Sequence, residues 1–153
     1  MKNSSKGFTL IELLVVIAII ATLAVVVFVA LDPVRRFQEA RNATRRTDVN
    51  SILTAISQSI VDTKGTLPTG LVADGLVYQL GSCASGAATL CTGAQTACVN
   101  LATPLAQYLK SMPMDPQSGT AATTGYSVSV NANNLITVNA CAAEAGETIE
   151  VSR

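Results

Sequence analysis

The residues with chemistry to offer are four cysteines, one carboxylate inside an apolar run, and a group of arginines. The cysteines stand at Cys83, Cys91, Cys98 and Cys141. No pair has C-x-x-C spacing and the chain has no histidine, so a zinc site lacks its usual spacing and its usual nitrogen ligand. An even number of cysteines in a small export-directed segment points instead to two disulfides. Four cysteines allow three connectivities. Closing the loose Gly/Ala/Ser/Thr-rich loop from Gly81 to Thr96 favours Cys83–Cys91, and Cys98–Cys141 then ties a short helix to a sheet. Ser, Thr and Asp are abundant, but no nucleophile–base constellation, phosphate-binding glycine loop or metal signature appears. Catalytic residues, cofactors and metals are all expected to be none.

The carboxylate is Glu12. It sits within residues 8–31, a run that is otherwise broken only by Thr9 and Thr22. At about 1.5 Å per residue such a helix is roughly 36 Å long, enough to cross a hydrocarbon core of about 30 Å. A buried core helix is the rival reading, but a chain of 153 residues has too little other apolar matter to wrap it. A cleaved secretory signal is the second rival. Its apolar core would be about 7–15 residues and would end in a small-x-small site, whereas this run continues into Asp32-Pro33-Val34-Arg35-Arg36.

From Pro33 to Asp62 there is no glycine, and Arg, Ala, Gln and Glu favour a continuing helix. Intrahelical pairs are available at Asp32/Arg36, Arg35/Glu39 and Arg45/Asp48. Val49, Ile52, Leu53, Ile56 and Ile60 form one apolar stripe. Lys64-Gly65 and then Pro68 stop the helix, and Pro33 is expected to kink or loosen it. The predicted helix therefore runs from Phe8 to Thr63, with residues 32–47 standing outside both membrane and head. That stretch carries Arg35, Arg36, Arg41, Arg45 and Arg46. Basic clusters bind nucleic acid or anionic lipid, but at helical spacing these five scatter around the axis and acidic neighbours offset part of them. A solvated or subunit-facing surface is the expectation; nucleic acid is not an expected partner.

Residues 64–153 read as a small α+β head. Leu76–Leu80 is a short strand, Leu101–Leu109 a short helix ended by Pro113, and Thr148–Val151 a last strand. Tyr126–Val130 and Leu135–Val138 flank Asn131–Asn134 as a hairpin. Two or three strands do not stand alone in water, so the Val49–Ile60 stripe is the surface they pack on. Zero net charge provides no global field, and 4% aromatics with no Trp does not suit an enzyme with a deep aromatic pocket. The layout is a leader at residues 1–7, a transmembrane segment at 8–31, an exported helix at 32–63 and a disulfide-stapled head at 64–153.

Orientation presents a conflict. Near the span, two basic residues, Lys2 and Lys6, precede it and five follow it, which by the positive-inside rule would keep the head in the cytoplasm. The cysteines argue for export. So does the sequence Lys6-Gly7-Phe8-Thr9-Leu10-Ile11-Glu12 leading into the apolar run, which closely resembles the type III signal of type IV pilins and type II secretion pseudopilins. The resemblance implies a cytoplasmic basic leader, cleavage by prepilin peptidase between Gly7 and Phe8, and N-methylation of Phe8. It makes Glu12 the fifth mature residue and places the head outside a single-pass cytoplasmic-membrane anchor. It also implies a pilin-like fold, with further partners in copies of itself, related pilins, the inner-membrane assembly machinery and the bilayer. In the head, Pro113-Met114-Asp115-Pro116, then Gly119 and Gly125-Tyr126, looks like the P-x-D-P…G…Y stretch of major pseudopilins. Those carry a calcium site nearby; here Asp115 has no acidic neighbour in sequence to complete one. The cysteine-bearing loop departs from the pseudopilin pattern, so pilus and secretion system both stay open.

Glu12 has its own physical reading. A carboxylate at the bilayer centre costs about 2.5–3.5 kcal/mol on insertion scales. Near the end of the span it can snorkel toward Lys6, which explains tolerance in the precursor but not compensation outside lipid. Cleavage would create an amine at Phe8, one turn away, and staggered parallel helices could set one subunit's Glu12 against the next subunit's Phe8. The expected function is therefore a filament subunit. The alternative is a solitary membrane-anchored binding head, which requires neither the cut at Gly7 nor an acid at Glu12.

Overall fold

The computed structural model describes residues 7–153; the basic leader residues Lys2 and Lys6 lie outside them. Helix α1, Leu10–Leu31, has no buried residue. That disposes of the core-helix reading, because a core helix would be covered by its own chain. By length and composition α1 is a transmembrane helix.

Asp32 interrupts the helix in the left-handed conformation (φ 38°, ψ 70°). Helix α2 then runs Pro33–Asp62. This is the local break expected at Pro33, which opens α2 where its missing N–H is no loss. The Asp32 carboxylate receives the Arg35 N–H at 3.4 Å, one of the few ways a polar side chain offsets a left-handed backbone. The described chain divides into two compact units, one ending at Phe37 and one running Gln38–Arg153.

In the second unit the sheet is antiparallel and four-stranded, β1 (Val77–Gln79), β2 (Tyr126–Val130), β3 (Ile136–Ala140) and β4 (Glu150–Ser152), in the order β1-β2-β3-β4. The fold is α+β, and each of the four segments read as a strand contributes one. Register follows alternation: Tyr126 faces Ala140, Val128 faces Val138 and Val130 faces Ile136, and these six are the core face. The Asn131–Asn134 turn forms as expected, its Asn131 carboxamide oxygen accepting from the Asn133 and Leu135 N–H groups. Val49, Ile52, Leu53, Ala55 and Ile56 of α2 meet the sheet with Leu80, Leu101, Leu105 and Ile149. The helix closes where the sequence indicates: Gly65, at φ 96°, sends its N–H back to the Ile60 carbonyl at 2.8 Å.

One element is absent. Residues 101–109 form successive turns, not a helix. Pro104 is the reason: it has no N–H to donate and it disfavours helical backbone at Thr103.

The disulfide pairing also differs from expectation. Cys83 joins Cys98 and Cys91 joins Cys141. The loop does not close on itself at Cys91. Its two ends run side by side instead, Gly81 N–H bonding Val99 O and Cys98 N–H bonding Cys83 O, each at 3.0 Å. Cys91, buried and held by a one-turn helix at Ala87–Thr89, is delivered to the end of β3.

Candidate functional site

At the start of α1 the backbone of residues 7–9 is not helical, and Phe8 is 85% exposed. The Gly7–Phe8 peptide bond therefore lies in unwound, exposed chain. A Cβ added at Gly7 would meet nothing within 4 Å, so no packing within the described chain demands glycine there. Thr9 caps the helix. Its hydroxyl oxygen accepts the Glu12 N–H at 3.3 Å, while Glu12 Oε2 accepts both the Thr9 N–H and the Thr9 hydroxyl at 2.8 Å. This capping box gives Glu12 a local task that the sequence reading missed. The signal was present: Thr-x-x-Glu directly before an apolar run. Two hydrogen bonds and a helix N-terminus lower the cost of an acid at this end of the span.

The second cluster lies in the head. Arg45 is fully buried. Its Nε and Nη2 bond the two oxygens of Asp115 at 2.6 and 3.2 Å, and its Nη1 reaches Glu144 Oε2 at 2.7 Å and Asn42 Oδ1 at 3.0 Å. Arg41 forks onto both Glu144 oxygens at 2.6 Å, and Arg46 pairs with Glu147. Asn42 stitches the same turn, donating to the Glu144 carbonyl at 2.9 Å and accepting its N–H at 3.1 Å. Asp115 Oδ1 also accepts the Gln117 and Ser118 N–H groups and the Ser118 hydroxyl. Burial pushes the Asp115 pKa up, but Arg45 and these donors outweigh it and hold the carboxyl below its usual range. Glu144 is drawn down to about 2 by hydrogen bonds from Arg41 and Arg45. Tyr126 donates to Asp48 at 2.6 Å; burial first, then that bond, pushes the phenol well up.

Residues 38–47 are thus part of the head, contrary to the reading that left 32–47 bare, and Arg45 pairs with Asp115 and Glu144, not Asp48. The hint was that Arg41 and Arg45 continue the Val49 stripe backward in steps of four. The P-x-D-P…G…Y residues gain a shared cause. A Cβ at Gly119 would stand 2.3 Å from the Asp115 backbone N and one at Gly125 2.7 Å from Asp115 Cβ, so Gly119 makes room for the backbone of Asp115 and Gly125 for its side chain. Asp115 does acquire an acidic neighbour in space, Glu144, but Arg45 lies between them as the cation.

The prokaryotic N-terminal methylation motif matches residues 2–28. The chain carries a prepilin-type signal. The match spans Gly7, Phe8, Thr9 and Glu12 and extends through most of α1. No curated protein and no solved structure matches the chain. The motif supports a type IV pilin-like or pseudopilin precursor, and with α1 it fits a membrane-anchored protein. It implies processing by a prepilin peptidase.

Proposed function

We propose that this chain is the structural subunit of a type IV pilus-like or type II secretion filament. Prepilin peptidase cuts between Gly7 and Phe8 and methylates Phe8, and the processed subunit waits in the cytoplasmic membrane with its head outside. The inner-membrane assembly machinery then draws it into a helical fibre with copies of itself or related pilins, its core the apolar segments from Phe8 to Leu31. The observation that carries the reading is the methylation motif fused to a helix with no buried residue. Such a helix needs an outside partner: lipid before assembly, neighbouring helices after it. In the fibre, Glu12 accepts the Phe8 amine of the adjacent subunit, and since each charge is costly alone in a dry core, the pair sets axial register.

The test compares Glu12→Val with Glu12→Gln in cells expressing only the variant. Valine removes both charge and capping box; glutamine retains the box, which accepts Gln in place of Glu, and removes the charge alone. Sheared-fibre yield is measured against membrane-bound subunit, and intact mass checks that the subunit begins at methylated Phe8. Both variants should insert normally and assemble poorly. Normal fibres from both would refute the register pair. A wild-type subunit that never enters a fibre would favour the solitary anchored head, and a mature chain still starting at Met1 would sink the processing reading.

A further inference from the structure

The first turn of α2 has a composition that the filament reading leaves unused. Val34 and Phe37 are 65% and 66% exposed, and Arg35 and Arg36 between them are exposed as well. All four lie in the first compact unit, with α1, and not in the head. Arg35 and Arg36 are the pair nearest the membrane segment, and Asp32 is the carboxylate of the same turn, with Glu39 following.

Position decides what this turn meets. From Pro33 to Phe37 the helix rises about 6 Å, close to the width of one polar layer of a bilayer, about 5–7 Å. Exposed apolar side chains flanking a pair of guanidinium groups suit that layer: the ring and methyls face the acyl boundary while the cations reach outward. A guanidinium binds phosphate oxygens in pairs, with a geometry that an ammonium lacks.

We propose that Val34–Phe37 is a lipid-headgroup clamp, with Val34 and Phe37 seated in the interfacial layer on the head side and Arg35 and Arg36 binding phosphates of anionic phospholipid. It would hold the waiting subunit at one depth, keeping the end of α1 inside the hydrocarbon. The proposal rests on the membrane-anchored reading of α1.

The chain has no tryptophan, so single reporters can be placed at will. Full-length protein carrying Ile19→Trp, the mid-span reporter, or Phe37→Trp, the interfacial reporter, is reconstituted in phosphatidylcholine vesicles with and without phosphatidylglycerol. Either lipid is brominated in turn, near its glycerol end to read the interfacial reporter and near its acyl terminus to read the mid-span reporter. The interfacial reporter should be quenched, and brominated phosphatidylglycerol should win over phosphatidylcholine by about fivefold or more, the scale of one basic residue at an anionic surface. Arg35→Gln/Arg36→Gln in the Phe37→Trp background should bring that ratio near unity, as should high salt. Equal quenching by both lipids overturns the anionic clamp. An interfacial reporter left unquenched while the mid-span reporter is quenched overturns the interfacial placement. Interfacial quenching that fades as subunit density rises means a second copy covers this turn, and also overturns the proposal. If the mid-span reporter is not quenched either, the membrane reading itself has failed.

Discussion

Replacing Arg45 with methionine isolates the interaction that joins α2 to the head's C-terminal turns. Arg45 is fully excluded from solvent and its guanidinium donates to Asp115, Glu144 and Asn42. Methionine fills similar volume with no cation, so the cavity contribution is small. Asp115, also with no exposed side-chain surface, would keep its bonds from Gln117 and Ser118 but lose its counter-charge. Breaking a buried pair in this way costs about 3–5 kcal/mol. Against a domain stability of about 5–15 kcal/mol, that should lower Tm by roughly 10–20 °C. Urea unfolding of the full chain in detergent, followed by near-ultraviolet circular dichroism with disulfides intact, reads the change; Tyr126, beside the cluster, supplies part of the signal. Removing both charges in Arg45→Met/Asp115→Asn should recover part of the loss, with a coupling of about 1–3 kcal/mol. A single variant within about 1 kcal/mol of wild type, or two substitutions whose effects simply add, would refute a desolvated, mutually dependent pair.

Acid should weaken the head. Glu144 titrates from an ordinary value of 4.5 down to about 2 in the folded state, and Asp115 is shifted in the same direction. Their contribution is therefore complete above pH 4.5 and lost as pH falls toward 2, and Glu144→Gln should flatten the fall of Tm across that window. Asp48 works the other way: burial raises its pKa, so its contribution favours the fold as pH drops, and Asp48→Asn should steepen the decline. The disulfides close loops with sequence separations of 15 and 50 residues. By chain entropy, losing Cys83–Cys98 through paired serines should cost about 3 kcal/mol and losing Cys91–Cys141 about 4 kcal/mol. Non-reducing peptide mapping should recover Cys83 with Cys98 and Cys91 with Cys141; the Cys83–Cys91 pairing would contradict the packing of the loop ends.

What could be read in advance was local or periodic. A run of apolar side chains from Phe8 to Leu31 states its own solvent, because a helix of that length cannot be covered by so small a remainder. Alternation in Tyr126–Val130, the asparagine turn and the Lys64-Gly65 stop depend on neighbours a few residues away, and all formed as expected. The Thr9–Glu12 box is equally local, a Thr-x-x-Glu directly before an apolar run. The misjudged features split by range. Pro104 carried a legible backbone signal, that of a helix breaker. The disulfide partners and the fate of the arginines had no such signal. Cys91 finds Cys141 across 50 residues, and Arg45 finds Asp115 across 70. A charge four residues before an apolar stripe is equally compatible with water and with burial. Only the tertiary fold, by bringing Asp115 and Glu144 against α2, supplied the counter-charge that makes burying Arg45 tolerable.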